Sequence, residues 1–242
     1  MLDFNSIKLD GISLEVDDVK LDEVPENDIA IVGISVKVPL ADTAEEFWLN
    51  LSKGTDCIRE IPSSRQKDVE NYLRYIGKDS STVKYGEAAY IEDIDKFDYG
   101  FFKISPKEAS LLDPNQRLFL QTAWNAMEDA GYGGKKLEGS RTGIDVGFGS
   151  DSDYKKMISE VEPESLAQAM AGNVRPIIAS RLSYILDLKG PSLIVDTTCS
   201  SSLVAVHLAS QALRNGECDL AIAGGIQIHL IPVREYEVGV EA

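Results

Sequence analysis

The segment from Ser192 to Gly225 constrains this chain most. Ser192-Leu193-Ile194-Val195-Asp196 has the short apolar pattern of a buried strand. A helix is expected over residues 200 to about 215, and Asp219-Leu220-Ala221-Ile222-Ala223-Gly224-Gly225 is a second buried strand. Two strands joined by one helix form a beta-alpha-beta unit, and such a crossover implies parallel pairing. The helix carries apolar or small residues nearly all round, in Leu203, Val204, Ala205, Val206, Leu208, Ala209, Ala212 and Leu213, so it should be buried. The expected fold class is α/β, a mixed, mostly parallel sheet between helices.

Upstream elements agree with that class. Ile29-Ala30-Ile31-Val32-Gly33-Ile34 reads as a buried strand feeding a helix that Thr43 caps, with Glu46 completing a capping box. Residues 55 to 105 show no sustained period and read as a long irregular excursion with short elements. Asp113-Pro114 opens a helix with Leu118, Leu120, Ala123, Trp124 and Met127 on its apolar side, and Gly131 stops it. Thr142 to Gly149 reads as a strand whose glycines invite close backbone approach.

A chain of 242 residues with 43% hydrophobic side chains can fill a core, so a folded body is expected from residue 29 to residue 242. The net charge of −16 repels nucleic-acid phosphate and anionic lipid, which argues against either as a partner. Residues 1 to 28 hold nine acidic and two basic side chains and read as a solvated linker or docking arm; Ile12, Leu14 and Val16 would also suit a short edge strand. Cys57, Cys199 and Cys218 lack zinc-type spacing, which implies no metal and a reducing, cytoplasmic setting. The opening residues have no basic, apolar signal pattern, and nowhere do 18 apolar residues run together, so the sequence supports neither secretion nor a membrane span.

The chemistry centres on Cys199. It lies between a strand ending at Asp196 and a helix beginning near Ser200, where free backbone NH groups and the helix dipole would stabilise negative charge. Those NH groups could also cradle the oxyanion formed when sulfur attacks a thioester carbonyl. Ser200, Ser201 and Ser202 leave room for a substrate arm. The same position also suits a cysteine that is merely a small buried residue. Cys57 in a turn and Cys218 at the head of a strand fit structural roles. His207 is eight residues along the helix, about 12 Å from Cys199 at the helical rise, and His229 follows the last strand; both read as structural. Asp113, Arg117, Asp145, Arg175, Arg181 and Asp196 lie beside apolar segments, where buried ion pairs are the simplest expectation.

These residues resemble a known family from about Ile29 to Val240. The stretch Val195-Asp196-Thr197-Thr198-Cys199-Ser200-Ser201-Ser202-Leu203 is similar to the active-site stretch of the beta-ketoacyl synthases of the thiolase superfamily, with Thr198 where Ala is usual. Phe101-Phe102-Lys103-Ile104-Ser105-Pro106-Lys107-Glu108-Ala109, Asp113-Pro114-Asn115-Gln116-Arg117, Trp124, Glu128-Asp129-Ala130-Gly131, Gly190-Pro191-Ser192, Gly216-Glu217-Cys218-Asp219 and Ala223-Gly224-Gly225 follow in family order. The resemblance is to ketosynthase domains of modular polyketide and hybrid peptide-polyketide assembly lines.

It implies the first of two related halves of a thiolase-like fold, with Cys199 as nucleophile. That cysteine would accept an acyl group from the phosphopantetheine arm of an acyl carrier protein, before decarboxylative Claisen condensation elongates a polyketide. No directly bound cofactor is implied. The family's two catalytic histidines stand in His-Gly-Thr-Gly-Thr and Gly-His motifs that this sequence lacks, and neither His207 nor His229 matches them. A carboxy-terminal half is therefore an expected partner, and the chain alone should be incomplete, inactive and poorly soluble through an exposed internal interface. The resemblance further implies a homodimer paired through residues 193 to 196, and carrier-protein docking for which Lys103, Lys107 and Arg117 are basic candidates. Two other readings stay open: a non-condensing acyl-shuttling or scaffold module, and an unrelated thiol hydrolase requiring Cys199 and His229 within about 3 to 4 Å.

Overall fold

A computed structural model describes residues 28–149 and 153–231. The acidic arm, Asp28 apart, lies outside the described residues, as does the end of the family-like stretch beyond residue 231.

Strand β1 (Thr142–Gly147) is buried at all six positions and forms the axis of the body. β2 (Ser192–Val195) and β3 (Leu220–Gly225) flank it in the order β2-β1-β3, and both pair with it in parallel. The described sheet is thus parallel throughout. The unit read from residues 192–225 is present, but its strands do not touch: helix α8 (Ser201–Arg214) carries the chain across β1. Alternation along β1 divides its side chains. Ile144 and Val146 join the main core with Phe119, Leu120, Ala123 and Met127 of α4 (Pro114–Asp129) and Ile178, Ala179 and Leu182 of α7 (Ile177–Ile185). Gly143, Asp145 and Gly147 occupy the opposite face, where α8 seats Ser201 against Gly147.

The helix ends follow from sequence chemistry. Asp113 caps α4, its carboxylate accepting from the Asn115 amide at 2.7 Å, with Pro114 at the first helical position. Asn115 in turn accepts from the Ile228 amide at 2.9 Å, so this cap also holds the segment leaving β3. Gly131, at φ 77°, ends the helix where an L side chain would be strained. Helix α1 (Ala44–Lys53) carries the capping box: Thr43 accepts from Glu46, and Glu46 accepts from the Thr43 amide.

Several expectations are corrected. Residues 29–34 are not a buried strand. Ile31 is 87% exposed, while Gly33 fits beside Ala126 and Ala130 at the end of α4 and the Ile34 amide donates to Asp129 at 2.8 Å. No described strand lies alongside this segment, so its apolar pattern forms no ladder among the described residues. The excursion over residues 55–105 contains a full helix, α2 (Ser63–Tyr75), whose buried stripe is only Arg65, Val69, Tyr72 and Leu73. Between α2 and α4, a short helix α3 spans Pro106–Leu111, and α5 (Asp153–Val161) and α6 (Leu166–Ala169) come between β1 and α7 in the chain. The strand expected to reach Gly149 ends at Gly147.

Helix α8 is buried on one face only. Ser201, Ala205, Ala209 and Ala212 pack inward, whereas Leu203 is 77% and Val206 46% exposed. Its all-round apolar character therefore outruns the cover among the described residues. Asp145 makes no ion pair with a described residue. Burial pushes its carboxyl above the usual range, and Glu217 adds to the effect. Asp113 acts as a cap and Arg117 stacks over Tyr154 at 5.6 Å; the ion pairs that do form are Arg181–Glu108 and Arg175–Asp196. Among the described residues no helix is long and apolar enough to cross a membrane.

Candidate active site

The site forms where the parallel strands end and α8 begins. Its floor is glycine. A Cβ on Gly147 would stand 2.7 Å from the Ser202 amide nitrogen, and one on Gly225 would overlap Ser202 Oγ. Only hydrogen side chains let the start of α8 settle onto β1 and β3 this closely. Gly149 plays the same part for Asp196, whose Oδ1 would lie 2.6 Å from an added Cβ.

Cys199 is at the centre of a 3-10 turn, Thr198–Ser200, linking β2 to α8. Thr198 has φ 56°, a left-handed conformation that a β-branched residue adopts only under constraint, at a cost of about 1–3 kcal/mol. Local hydrogen bonds hold it. The Thr198 amide donates to Asp196 Oδ1 at 3.2 Å, the Thr197 amide donates to Ser201 Oγ at 2.9 Å, and Ser201 Oγ donates to the Thr198 carbonyl at 2.7 Å. Cys199 is exposed, one residue ahead of Ser200, which stands at the N-cap of α8 but turns its Oγ back to donate to the Thr197 carbonyl at 2.9 Å. The amino end of a 14-residue helix thus stands beside the thiol, where the helix dipole favours negative charge, while the Ser200 and Ser201 amides donate within the turn to the Thr197 and Thr198 carbonyls.

The other candidates lie apart from this turn. Cys57 is half-buried. Cys218 is buried against Gly143, and loss of water pushes its thiol up. His207 and His229 are both exposed, and neither hydrogen-bonds to Cys199 among the described residues. The His229 carbonyl instead accepts from the buried Arg65 guanidinium. Of the basic candidates, Lys103 is exposed, Lys107 is paired with Glu162, and Arg117 lies over Tyr154. The sequence marked Arg175 and Asp196 for ion pairing without joining them; the structure bridges them behind the turn, where Arg175 Nη1 donates to the Gly149 carbonyl at 3.0 Å and to Asp196 Oδ2 at 3.3 Å. The glycines of β1 were a signal for the close approach; nothing in the local pattern joined Arg175 to residues more than twenty positions away.

A parallel sheet with an exposed cysteine on the strand-to-helix turn makes a candidate thiol site. The chain belongs to the beta-ketoacyl synthase family: residues 26–238 match the family model "Beta-ketoacyl synthase, N-terminal domain". Among curated proteins it is 43% identical over 228 residues to polyketide synthase PksL of Bacillus subtilis, covering 88% of this chain and 5% of that protein. It is 40% identical over 216 residues to the pikromycin polyketide synthase component PikAII of Streptomyces venezuelae, covering 88% and 6%. Among solved structures, the ketosynthase from module 6 of the Bacillus subtilis bacillaene synthase superposes with a TM-score of 0.68 at 40% identity, covering 84% of this chain and 32% of that one. The oxazolomycin ketosynthase domain OzmH KS7 of Streptomyces albus gives 0.64 at 34% identity, covering 82% and 34%. The fold is therefore thiolase-like, and the chain spans about a third of the solved ketosynthases it matches.

Proposed function

We propose that this chain supplies the acyl-accepting part of a condensing ketosynthase in a polyketide assembly line, with Cys199 as nucleophile. The exposed Cys199 on its constrained turn at the start of α8 carries this reading. The Cys199 sulfur, as thiolate, attacks the carbonyl of an acyl group held as a thioester on the phosphopantetheine arm of an acyl carrier protein. Negative charge gathers on the carbonyl oxygen, and the dipole at the amino end of α8 favours that charge. The bond to the pantetheine sulfur breaks, that sulfur leaves as a thiolate and takes a proton, and the acyl group stays on Cys199 as a thioester.

In the second stage a malonyl-type extender loses carbon dioxide, and the resulting carbanion attacks the Cys199 acyl carbonyl, releasing the cysteine sulfur. The histidines for this step are assigned to a carboxy-terminal half, since His207 and His229 are not joined to Cys199. A homodimer through β2 fits the same reading, because β2 is an edge of the described sheet and its Leu193 is 47% exposed.

The test is intact mass spectrometry after incubation with an acyl carrier-protein thioester, alone and with the carboxy-terminal half, using Cys199→Ala as control. A Cys199-dependent adduct of the acyl mass is expected. An adduct that survives Cys199→Ala, or none under either condition, would overturn the assignment.

A further inference from the structure

The turn bearing Cys199 does not hold its shape alone. Thr198 sits at φ 56°, and its amide is fixed by Asp196 Oδ1. The other oxygen of that carboxylate, Oδ2, faces Arg175 Nη1 at 3.3 Å, and the same Nη1 donates to the Gly149 carbonyl at 3.0 Å. Gly149 has no Cβ because one would strike Asp196. Arg175 enters from the start of α7, whose Ile178, Ala179 and Leu182 are almost wholly buried. One guanidinium therefore joins a rigid core helix, the chain leaving β1 and the carboxylate that sets the turn. Both partners of the ion pair are about four-tenths exposed, so it adds little to global stability. What it fixes is direction: with Oδ2 held, Oδ1 stays aimed at the Thr198 amide.

We propose that Arg175 is a positioning residue for Cys199, acting through Asp196 to keep the turn in the geometry that presents the thiol beside the α8 amides. Its importance for acyl transfer rests on the reading of Cys199 as nucleophile; its control of the turn does not. Carbonyl attack needs sulfur and amides in register, whereas alkylation of the thiol by iodoacetamide needs only an accessible sulfur. Loss of Arg175 should therefore impair the first and spare the second.

The experiment compares the chain with Arg175→Met, Arg175→Lys and the double variant Arg175→Met/Asp196→Asn. Three quantities are read: amide hydrogen exchange at Thr198, acylation of Cys199 by a simple acyl thioester, and alkylation of Cys199 relative to Cys57. In Arg175→Met, Thr198 exchange is expected to rise about tenfold and acylation to fall about tenfold, with the alkylation ratio changed less than about twofold. Lysine should recover much of the loss, and the double variant should add little to Arg175→Met, since both changes break one link. Unchanged Thr198 exchange in Arg175→Met would overturn the proposal, as would equal losses in acylation and alkylation. If the unaltered chain takes no acyl group either alone or with the carboxy-terminal half, the nucleophile reading fails, and the exchange measurement still decides the role of Arg175.

Discussion

At the scale of single residues, the strongest constraints sit where side chains are absent or misplaced for their surroundings. Gly147 underlies the Cys199 turn, and any Cβ there meets the α8 backbone rather than a movable side chain. Gly147→Val should cost roughly 3 kcal/mol in chemical denaturation and displace the start of α8. Asp145 is the opposite case, a carboxyl buried in β1 with its pKa raised by burial. An acid whose folded pKa is raised stabilises the fold only while protonated. Its contribution is complete below the ordinary carboxylate value of 3.8 and is lost as pH rises through the folded value. Asp145→Asn should therefore raise Tm by about 2 °C at neutral pH, with the gain vanishing in acid, as a thermal melt series would show. Cysteine burial can be checked the same way: iodoacetamide should modify exposed Cys199 readily and half-buried Cys57 more slowly, leaving Cys218 untouched until the protein unfolds.

At the scale of elements, capping chemistry was legible, and sheet membership was legible for β1, β2 and β3 but misassigned to residues 29–34. Thr43 with Glu46, and Asp113 with Pro114, mark helix starts through groups within a few residues of each other, so the local sequence contains the whole interaction. Residues 29–34 have the composition of a strand, yet becoming one requires a neighbour, and Gly33 packs on α4 instead. Helix α2 was missed for the converse reason: its narrow buried stripe includes Arg65, a guanidinium bound to the Ile91 and His229 carbonyls and stacked 5.2 Å over Tyr90. The centre of the core rests on α7 and α4 against β1. Leu182→Ala, removing a fully buried side chain, should lower stability by about 2–5 kcal/mol in urea unfolding.

At the scale of the whole molecule, apolar surface remains uncovered among the described residues. Leu203 and Val206 lie on one face of α8 by helical spacing, and Tyr184 of α7 is 87% exposed. Such side chains mark surfaces that associate. Leu203→Lys with Val206→Glu is expected to reduce self-association in sedimentation without lowering Tm, because neither residue is buried in the described fold.

The sequence by itself determined the α/β class, the capped helices, the three strands of the sheet and the identity of Cys199 as the candidate nucleophile. Each rests on periodicity, capping or a contiguous motif, interactions that close within a few residues. Only the tertiary structure decided that β1 lies between β2 and β3, that α8 is buried on one face alone, and that Arg175 reaches Asp196 behind the turn. Those arrangements depend on contacts between segments distant along the chain, whose partners compaction selects and local pattern does not specify.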